Sequence, residues 1–244
     1  MTKKFILVAL TLMLMSATAR ASSMCADLVT LADYITAHSC DVATGATFSN
    51  FSWTGPVSGQ PGGISNGSSF SIPAEAVYVS VINVPGGPFG LVFSSSFFDK
   101  IAPGTSISGR AVAGSLNINL AYTLTLQDTY GRVDGVSAAV SGFHHTGTSS
   151  MSFNTTESDQ SDPSNVVTLY MNENSTFSSD LFIPKVQAID IVEYVGLTAL
   201  RGTSDVIGFT SFDDTFSVPE PMTTLLLGSG LLALGLAGRR IRAR

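Results

Sequence analysis

Residues 116–127 read LNINLAYTLTLQ, and their alternation decides the fold class of this chain. Successive side chains of a β-strand point to opposite faces of the sheet, so a period of two separates a buried face from an exposed one. One face carries Leu116, Ile118, Leu120, Tyr122, Leu124 and Leu126. The other face carries Asn117, Asn119, Ala121, Thr123, Thr125 and Gln127. The pattern predicts a long strand with one face in an apolar core.

Further strands are predicted on both sides of this segment. They are rich in apolar and β-branched residues, and they fall at 76–84, 90–98, 133–141, 166–171, 176–183, 186–197 and 206–216. Gly and Pro turns divide them, whereas 54–69 and the polar stretch 155–165 are predicted to be loops. Short strands at this spacing, with almost no helix, predict a mainly β body at 22–216, an antiparallel, jelly-roll-like β-sandwich.

The chain contains only two cysteines, Cys25 and Cys40. A disulfide between them would close a short loop and stabilise the fold by about 3 kcal/mol. Leu28, Leu31 and Ile35 have helical spacing, but a helix along the whole interval would hold the cysteines too far apart. We therefore predict a short N-terminal helix after which the chain doubles back. Two unrelated buried thiols are the alternative.

The net charge of −6 conceals a more acidic body. Between residues 23 and 217, five basic residues stand against seventeen acidic ones, a net charge of −12. Such a surface repels phosphate backbones, which argues against nucleic-acid binding. The remaining positive charge lies at the two ends of the chain, where it is typical of signals that set membrane topology.

The N-terminus has the three parts of a secretory signal peptide. Lys3 and Lys4 precede the apolar run 5–15, and Ala19 and Ala21 occupy the −3 and −1 positions of a cleavage site after residue 21. Residues 1–21 are therefore predicted to be a signal helix that is removed on export. Export would place the body in an oxidising compartment, where a disulfide persists.

Residues 217–244 contain a second apolar segment with distinctive flanks. A proline-flanked glutamate comes first, then the uncharged stretch 222–238, which is just long enough to span a bilayer, and then a basic tail at 239–244. The motif consists of Val218, Pro219, Glu220 and Pro221, and the basic cluster of Arg239, Arg240, Arg242 and Arg244. The arginines should remain cytoplasmic, leaving the body on the other side of the membrane.

This tripartite tail resembles the PEP-CTERM sorting signal of Gram-negative bacteria, which is also named the ice-binding protein C-terminal domain. The resemblance implies a membrane-anchored precursor that an exosortase-type sorting enzyme recognises and cuts near the motif. It implies a destination at the cell envelope surface or in the extracellular matrix, which is rich in exopolysaccharide. The body also resembles those attached to such tails, through Cys40 followed by Phe-Ser-Asn-Phe at 48–51 and through the final segment 212–219.

No catalytic constellation is recognisable, so we predict neither an enzyme nor a bound metal or cofactor. His144 and His145 are adjacent and would point to opposite faces of a strand. Two acidic clusters are predicted to lie in surface loops: Asp213-Asp214, and the group Glu157, Asp159 and Asp162. Calcium prefers carboxylate oxygens as ligands, but we predict no metal at either cluster.

The sequence leads to two functional hypotheses. The first is a non-catalytic surface or matrix protein of unknown ligand. The alternative is a secreted carbohydrate-binding (lectin-like) or carbohydrate-active protein. A lectin would expose an aromatic patch near Trp53. On a strand, Trp53 and Phe51 should share one face while Phe48 takes the other. Aromatic residues placed in this way more often belong to the core.

Overall fold

The structure is a computed structural model that describes residues 23–42, 45–58, 70–84, 87–99, 101–102, 104–105, 111–128, 131–200 and 205–219. Within these residues there is one α-helix, α1 (Leu31–Ala37), and there are two 3-10 turns, Cys25–Asp27 and Ala74–Ala76. The strands are β1 (Ser23–Met24), β2 (Ser39–Val42), β3 (Ala46–Thr54), β4 (Pro56–Ser58), β5 (Phe70–Ser71), β6 (Tyr78–Asn83), β7 (Phe89–Ser94), β8 (Gly104–Thr105), β9 (Ala111–Val112), β10 (Gly114–Leu126), β11 (Val133–Ser141), β12 (His144–His145), β13 (Ser150–Asp159), β14 (Val166–Asn172), β15 (Phe177–Val186), β16 (Ala188–Ala199), β17 (Ile207–Gly208) and β18 (Ser211–Ser217).

Two sheets make up most of the fold. The large sheet has the order β1-β2-β3-β10-β16-β13-β14, with β4 beside β10 and β5 beside β4. The small sheet has the order β15-β11-β18-β7-β6. Two further ribbons pair β8 with β9 and β12 with β17. All the pairings of both sheets are antiparallel except that of β1 with β2. The predicted mainly β class, antiparallel sheets and short helix are confirmed.

Strand β10 is the central element that the alternating sequence predicted. It pairs along its length with β16, from Gly114 opposite Ala199 to Thr125 opposite Ala188, and on its other side with β3. All six residues of its apolar face are at most 2% exposed. Burying such side chains contributes roughly 1.5–3 kcal/mol each, so this strand anchors the large sheet to the core.

Aromatic side chains join the two sheets. Phe48 of β3 lies 6.2 Å from Phe216 of β18, measured between ring centroids, and Phe153 of β13 lies 5.8 Å from Phe212 of β18. These contacts reach from one sheet to the other, so the sheets pack face to face around a shared core.

The N-terminal segment is held by the predicted disulfide. Cys25 and Cys40 are bonded, with their Cα atoms 4.9 Å apart, and α1 in the interval is only seven residues long. Thr30 and Asp33 form a capping box that starts this helix, and His38 ends it at a positive φ of 63°. The short helix and the reversal of the chain are therefore confirmed, and the alternative of two unrelated thiols is wrong.

Reduction of this disulfide should destabilise the fold. The two cysteines are 15 positions apart, and a closed loop of that size contributes about 3 kcal/mol to the free energy of unfolding. Urea denaturation of the full chain with and without dithiothreitol measures the difference. The double variant Cys25→Ala with Cys40→Ala is the control, because its midpoint should not respond to the reductant. Equal midpoints for the oxidised and reduced native protein would contradict the prediction.

Two strands lie where the sequence predicted loops: β4 (Pro56–Ser58) falls within the loop predicted at 54–69, and β13 falls partly within the loop predicted at 155–165. Residues 150–159 form β13, which pairs with β16 on one side and β14 on the other, so the loop predicted at 155–165 is wrong in its first half. The strand alternates between buried and partly exposed residues, but two of its core-facing side chains are carboxylic acids. Acidic residues interrupt an apolar pattern, and the polar segment was therefore predicted to be a loop.

No helix within the described ranges is long and apolar enough to cross a membrane. The signal helix predicted at 1–21 and the transmembrane helix predicted at 222–238 both lie outside the described residues.

Candidate functional site

Three carboxylic acids and a phenol meet in the core between the two sheets. Glu157 on β13, Glu193 on β16 and Asp214 on β18 are 0% exposed, and Tyr122 on β10 is 2% exposed. The core-facing alternation of each strand places these side chains inward, since they fall at the positions that apolar residues occupy elsewhere along it. Every strand that supplies the cluster is an interior strand of its sheet.

Few hydrogen bonds reach these buried carboxyls. Tyr122 donates its hydroxyl to Asp214 Oδ2 over 2.7 Å, but no donor among the described residues reaches Asp214 Oδ1 or either oxygen of Glu157 and Glu193. Glu193 and Asp214 are close enough for each to shift the pKa of the other. Two carboxylates cannot hydrogen-bond to one another, so a hydrogen bond between them requires that one carries a proton.

The surroundings favour protonated carboxyls. Burial, followed by the charge of Asp214, raises the pKa of Glu193 and of Glu157 well above the ordinary value for glutamate. Burial also raises the pKa of Asp214, although the hydrogen bonds of Glu193 and Tyr122 act in the opposite direction. The pKa of the Tyr122 hydroxyl is raised by burial and then by the charge of Asp214. The cluster is therefore a site that retains protons.

The arrangement does not resemble an open reaction centre. Its three carboxyls are sealed from solvent, and the described residues contain no group of three or more His, Cys, Asp or Glu placed to hold a metal ion. Among the described residues, no lysine or arginine forms an ion pair with these acids; Lys185 pairs instead with Asp134 over 3.0 Å. Chemically, the cluster can bind and release protons between the two sheets.

These acids correct the prediction of two acidic surface loops. Glu157, Asp159 and Asp214 are buried on strands, and of the named residues only Asp162 lies on an exposed turn. Asp159 is satisfied locally, because its Oδ1 accepts hydrogen bonds from the Ser161 amide and hydroxyl. The period of two in Met151, Phe153, Thr155 and Glu157 was the available signal for β13.

The described residues show no exposed aromatic patch near Trp53 of the kind that a lectin would have. The Trp53 indole is partly buried against the core, and it donates from Nε1 to the Ile72 carbonyl over 2.8 Å. Phe48 and Phe51 are both buried against Tyr122, so the prediction that they face opposite ways is wrong. A bulge at Asn50, which has a φ of 58°, inserts one residue between them and turns both inward.

The histidines do not come together. His144 and His145 are exposed on the short strand β12, and the His145 ring stacks on Phe143 with 5.5 Å between centroids. His38 lies beyond the end of α1, in the disulfide-closed segment. None of them contacts the carboxyl cluster.

A groove lies on the solvent side of the small sheet. It has a volume of about 370 Å³, and hydroxyl-bearing side chains from neighbouring strands line its floor. Ser137 of β11 lies opposite Ser179 of β15 on one side and Thr215 of β18 on the other. The hydroxyl oxygens of Ser137 and Thr215 are 2.6 Å apart. These residues come from distant parts of the sequence, so the sequence alone gave no sign of the groove.

Two exposed apolar side chains wall this groove. Phe177 is 59% exposed and Leu181 is 61% exposed, and both belong to the edge strand β15. Each stands beside a small residue of β11, Phe177 opposite Ala139 and Leu181 opposite Gly135. The large walls and the small floor residues together produce the depression.

Most of the predicted sorting residues lie outside the described part of the chain. Val218 packs, partly buried, against the core directly after β18, and Pro219 is exposed. The residues outside are Ala19, Ala21, Glu220, Pro221, Arg239, Arg240, Arg242 and Arg244. Cys25 and Cys40 are therefore the predicted site residues that the structure brings together.

No model of a protein family matches the chain, and no curated protein matches it.

Proposed function

We propose that this chain is an exported, non-catalytic surface or matrix protein with a jelly-roll-like body, delivered by its own terminal signals. The observation that carries the proposal is the order of segments in the sequence: a signal peptide, a β body, and a proline-flanked glutamate before an apolar stretch that ends in arginines. The exported precursor is anchored by 222–238, and an exosortase-type enzyme in the membrane of a Gram-negative bacterium processes it. The mature body then resides at the envelope surface or in the extracellular matrix.

The described body is compatible with this route. Its cysteines are paired, as expected for a protein that folds in an oxidising compartment. Its last strand, β18, ends at Ser217, so the motif at 218–221 begins one residue beyond the sheet. The exposed Pro219 cannot donate a backbone hydrogen bond, which favours an extended segment that a processing enzyme can grip.

Loss of the motif should block processing. In cells that contain the sorting enzyme, we expect an intact mass that lacks both the signal peptide and the apolar tail, and fractionation should recover the protein from the surface or matrix. Glu220→Ala should leave the tail attached and the protein in the membrane fraction. Glu75→Ala, which changes an exposed glutamate of the body, should be processed normally. A tail retained on the native protein in the presence of active enzyme would refute the proposal.

The alternative, a secreted carbohydrate-binding or carbohydrate-active protein, no longer has Trp53 as its platform. An affinity for extracellular polysaccharide would have to come from another surface. The observation that favours this second candidate is the hydroxyl-lined groove of the small sheet.

A further inference from the structure

We propose that the groove on the small sheet, floored by Ser137, Ser179 and Thr215 and walled by Phe177 and Leu181, binds a neutral glycan chain. This inference gives a site and a ligand class to the carbohydrate-binding candidate. It does not depend on how the protein is sorted. The shape, the polarity and the charge of the groove all suit this class of ligand.

The shape suits an extended ligand. Phe177 and Leu181 lie on the same face of β15, four residues apart, so their Cα atoms are about 13 Å apart along the strand. The volume of about 370 Å³ falls within the range of small-molecule sites. A methyl group added at Gly135 would come within 2.4 Å of Ser217 Oγ, which shows how closely the floor is packed there. An open trough of this length accommodates a short run of sugar rings.

The polarity suits a ligand that carries both hydroxyls and apolar C–H faces. Ser137, Ser179 and Thr215 form one cross-strand row of hydroxyls, and each hydroxyl can both donate and accept a hydrogen bond. Phe177 presents an exposed ring to the same space. Aromatic rings beside small polar groups orient ligands that have one apolar face and polar edges. Sugar rings have this character.

The charge argues against an acidic ligand. Asp180 lines the groove, and no lysine or arginine from the described part of the chain does so. Asp213 lies in the same cross-strand row as Phe177 and Ala139. Its burial, followed by the charge of Asp214, raises the pKa of Asp213 to about 6, so its carboxyl is mostly ionised at neutral pH. Negative groups at the groove would repel polyuronates and sulfated chains, which leaves neutral glycans as the favoured class.

The test uses the full chain, purified in a detergent without a sugar headgroup. Isothermal titration calorimetry with a panel of neutral oligosaccharides (cellohexaose, mannohexaose and galactohexaose) should find at least one that binds, while oligogalacturonate should bind none or more weakly. Phe177→Ala should weaken that binding about tenfold or more, equivalent to about 1.4 kcal/mol. Thr215→Val should weaken it as well, because it removes a hydroxyl but little volume.

The matched control is Tyr170→Ala. Tyr170 is also 59% exposed, but it lies on β14 of the large sheet and does not line the groove, so its replacement should leave affinity unchanged. Unchanged thermal unfolding of the Phe177 variant confirms that the fold is intact, since an exposed ring contributes little to the core. Binding to none of the neutral oligosaccharides, a preference for oligogalacturonate, or loss of binding in the Tyr170 variant instead of the Phe177 variant would each overturn the proposal.

Discussion

Raising the pH from 5 to 8 is expected to destabilise the folded protein strongly. The pKa values of Glu157, Glu193 and Asp214 are raised in the folded state, mainly by burial, so the folded protein holds protons that the unfolded chain has already released. Each such proton, while it stays bound, makes the free energy of unfolding fall by about 1.4 kcal/mol per pH unit. One retained proton would therefore cost roughly 3–4 kcal/mol across this interval, a large part of a typical total of about 5–15 kcal/mol.

The direction of this effect follows from the raised pKa values. Their stabilising contribution is complete below the ordinary carboxyl pKa, and it is lost as the pH rises through the folded-state values. The groups that face the cluster are Tyr122 from β10, Glu157 from β13, Glu193 from β16 and Asp214 from β18, with Asp213 as the chain neighbour of the last. All are acids, so no described cation in the cluster offsets their ionisation.

Two other carboxyls act in the opposite direction at lower pH. Hydrogen bonds from Thr30 lower the pKa of Asp33. Burial acts to raise the pKa of Asp159, but hydrogen bonds, chiefly from Ser161, outweigh it and lower that pKa. Their contributions are present above the ordinary carboxyl pKa and are lost as the pH falls below it. The decrease in stability between pH 5 and 8 therefore belongs to the buried cluster and to the neighbouring Asp213, whose pKa is raised to about 6.

Urea denaturation at several pH values measures the effect, and Glu193→Gln isolates its source. The amide keeps the size of the side chain and donates to Asp214 without needing a proton, so the variant should show a smaller pH slope and a relative gain in stability at pH 8. Asp27→Asn, at an exposed position, is the control and should keep the native slope. Native stability that rises between pH 5 and 8, or a Glu193 variant with an unchanged slope, would contradict the prediction.

Phe212→Ala is expected to lower the free energy of unfolding by about 3–5 kcal/mol. Phe212 is 0% exposed on β18, and its ring stacks on Phe93 of β7 with 5.1 Å between centroids. It also contacts Phe98, Phe209 and, across the core, Phe153. Truncation would leave a cavity beside aromatic rings that cannot collapse into it, which places the cost at the upper end for core substitutions.

The same denaturation series at one fixed pH measures this cost. Phe177→Ala is the matched control, because it removes the same side chain from a position that is 59% exposed, and its midpoint should change little. If Phe212→Ala costs less than about 1 kcal/mol, the core would be far more plastic than this packing implies.

The sequence predicted those parts of the fold in which apolar residues lie on the buried face and polar residues lie on the exposed face. The alternation in 116–127 identified β10 and its buried face, and the spacing of Leu28, Leu31 and Ile35 between the cysteines identified a short helix and a closed loop. Strand β13 was missed: its first half was assigned no element, and its second half was predicted to be a loop because Glu157 and Asp159 stand at inward positions, where an apolar pattern has no place for a carboxyl.

The sites required information that no local pattern contains. The bulge at Asn50 adds one residue to β3, and a shift of one residue reverses the facing of every side chain beyond it. The acid cluster and the groove are each assembled from several strands that are far apart in the sequence. Their pairing depends on the strand order of both sheets, which the alternation of single segments does not specify.

The position of β18 has a consequence for how the polypeptide is made. This strand, Ser211–Ser217, lies between β11 and β7 in the middle of the small sheet, although it is the last strand of the described residues. Until it has left the ribosome, the pairs β15-β11 and β7-β6 have no strand to bridge them. Because non-local strand pairing waits for its partners, the small sheet of the nascent chain stays incomplete until this strand has been synthesised.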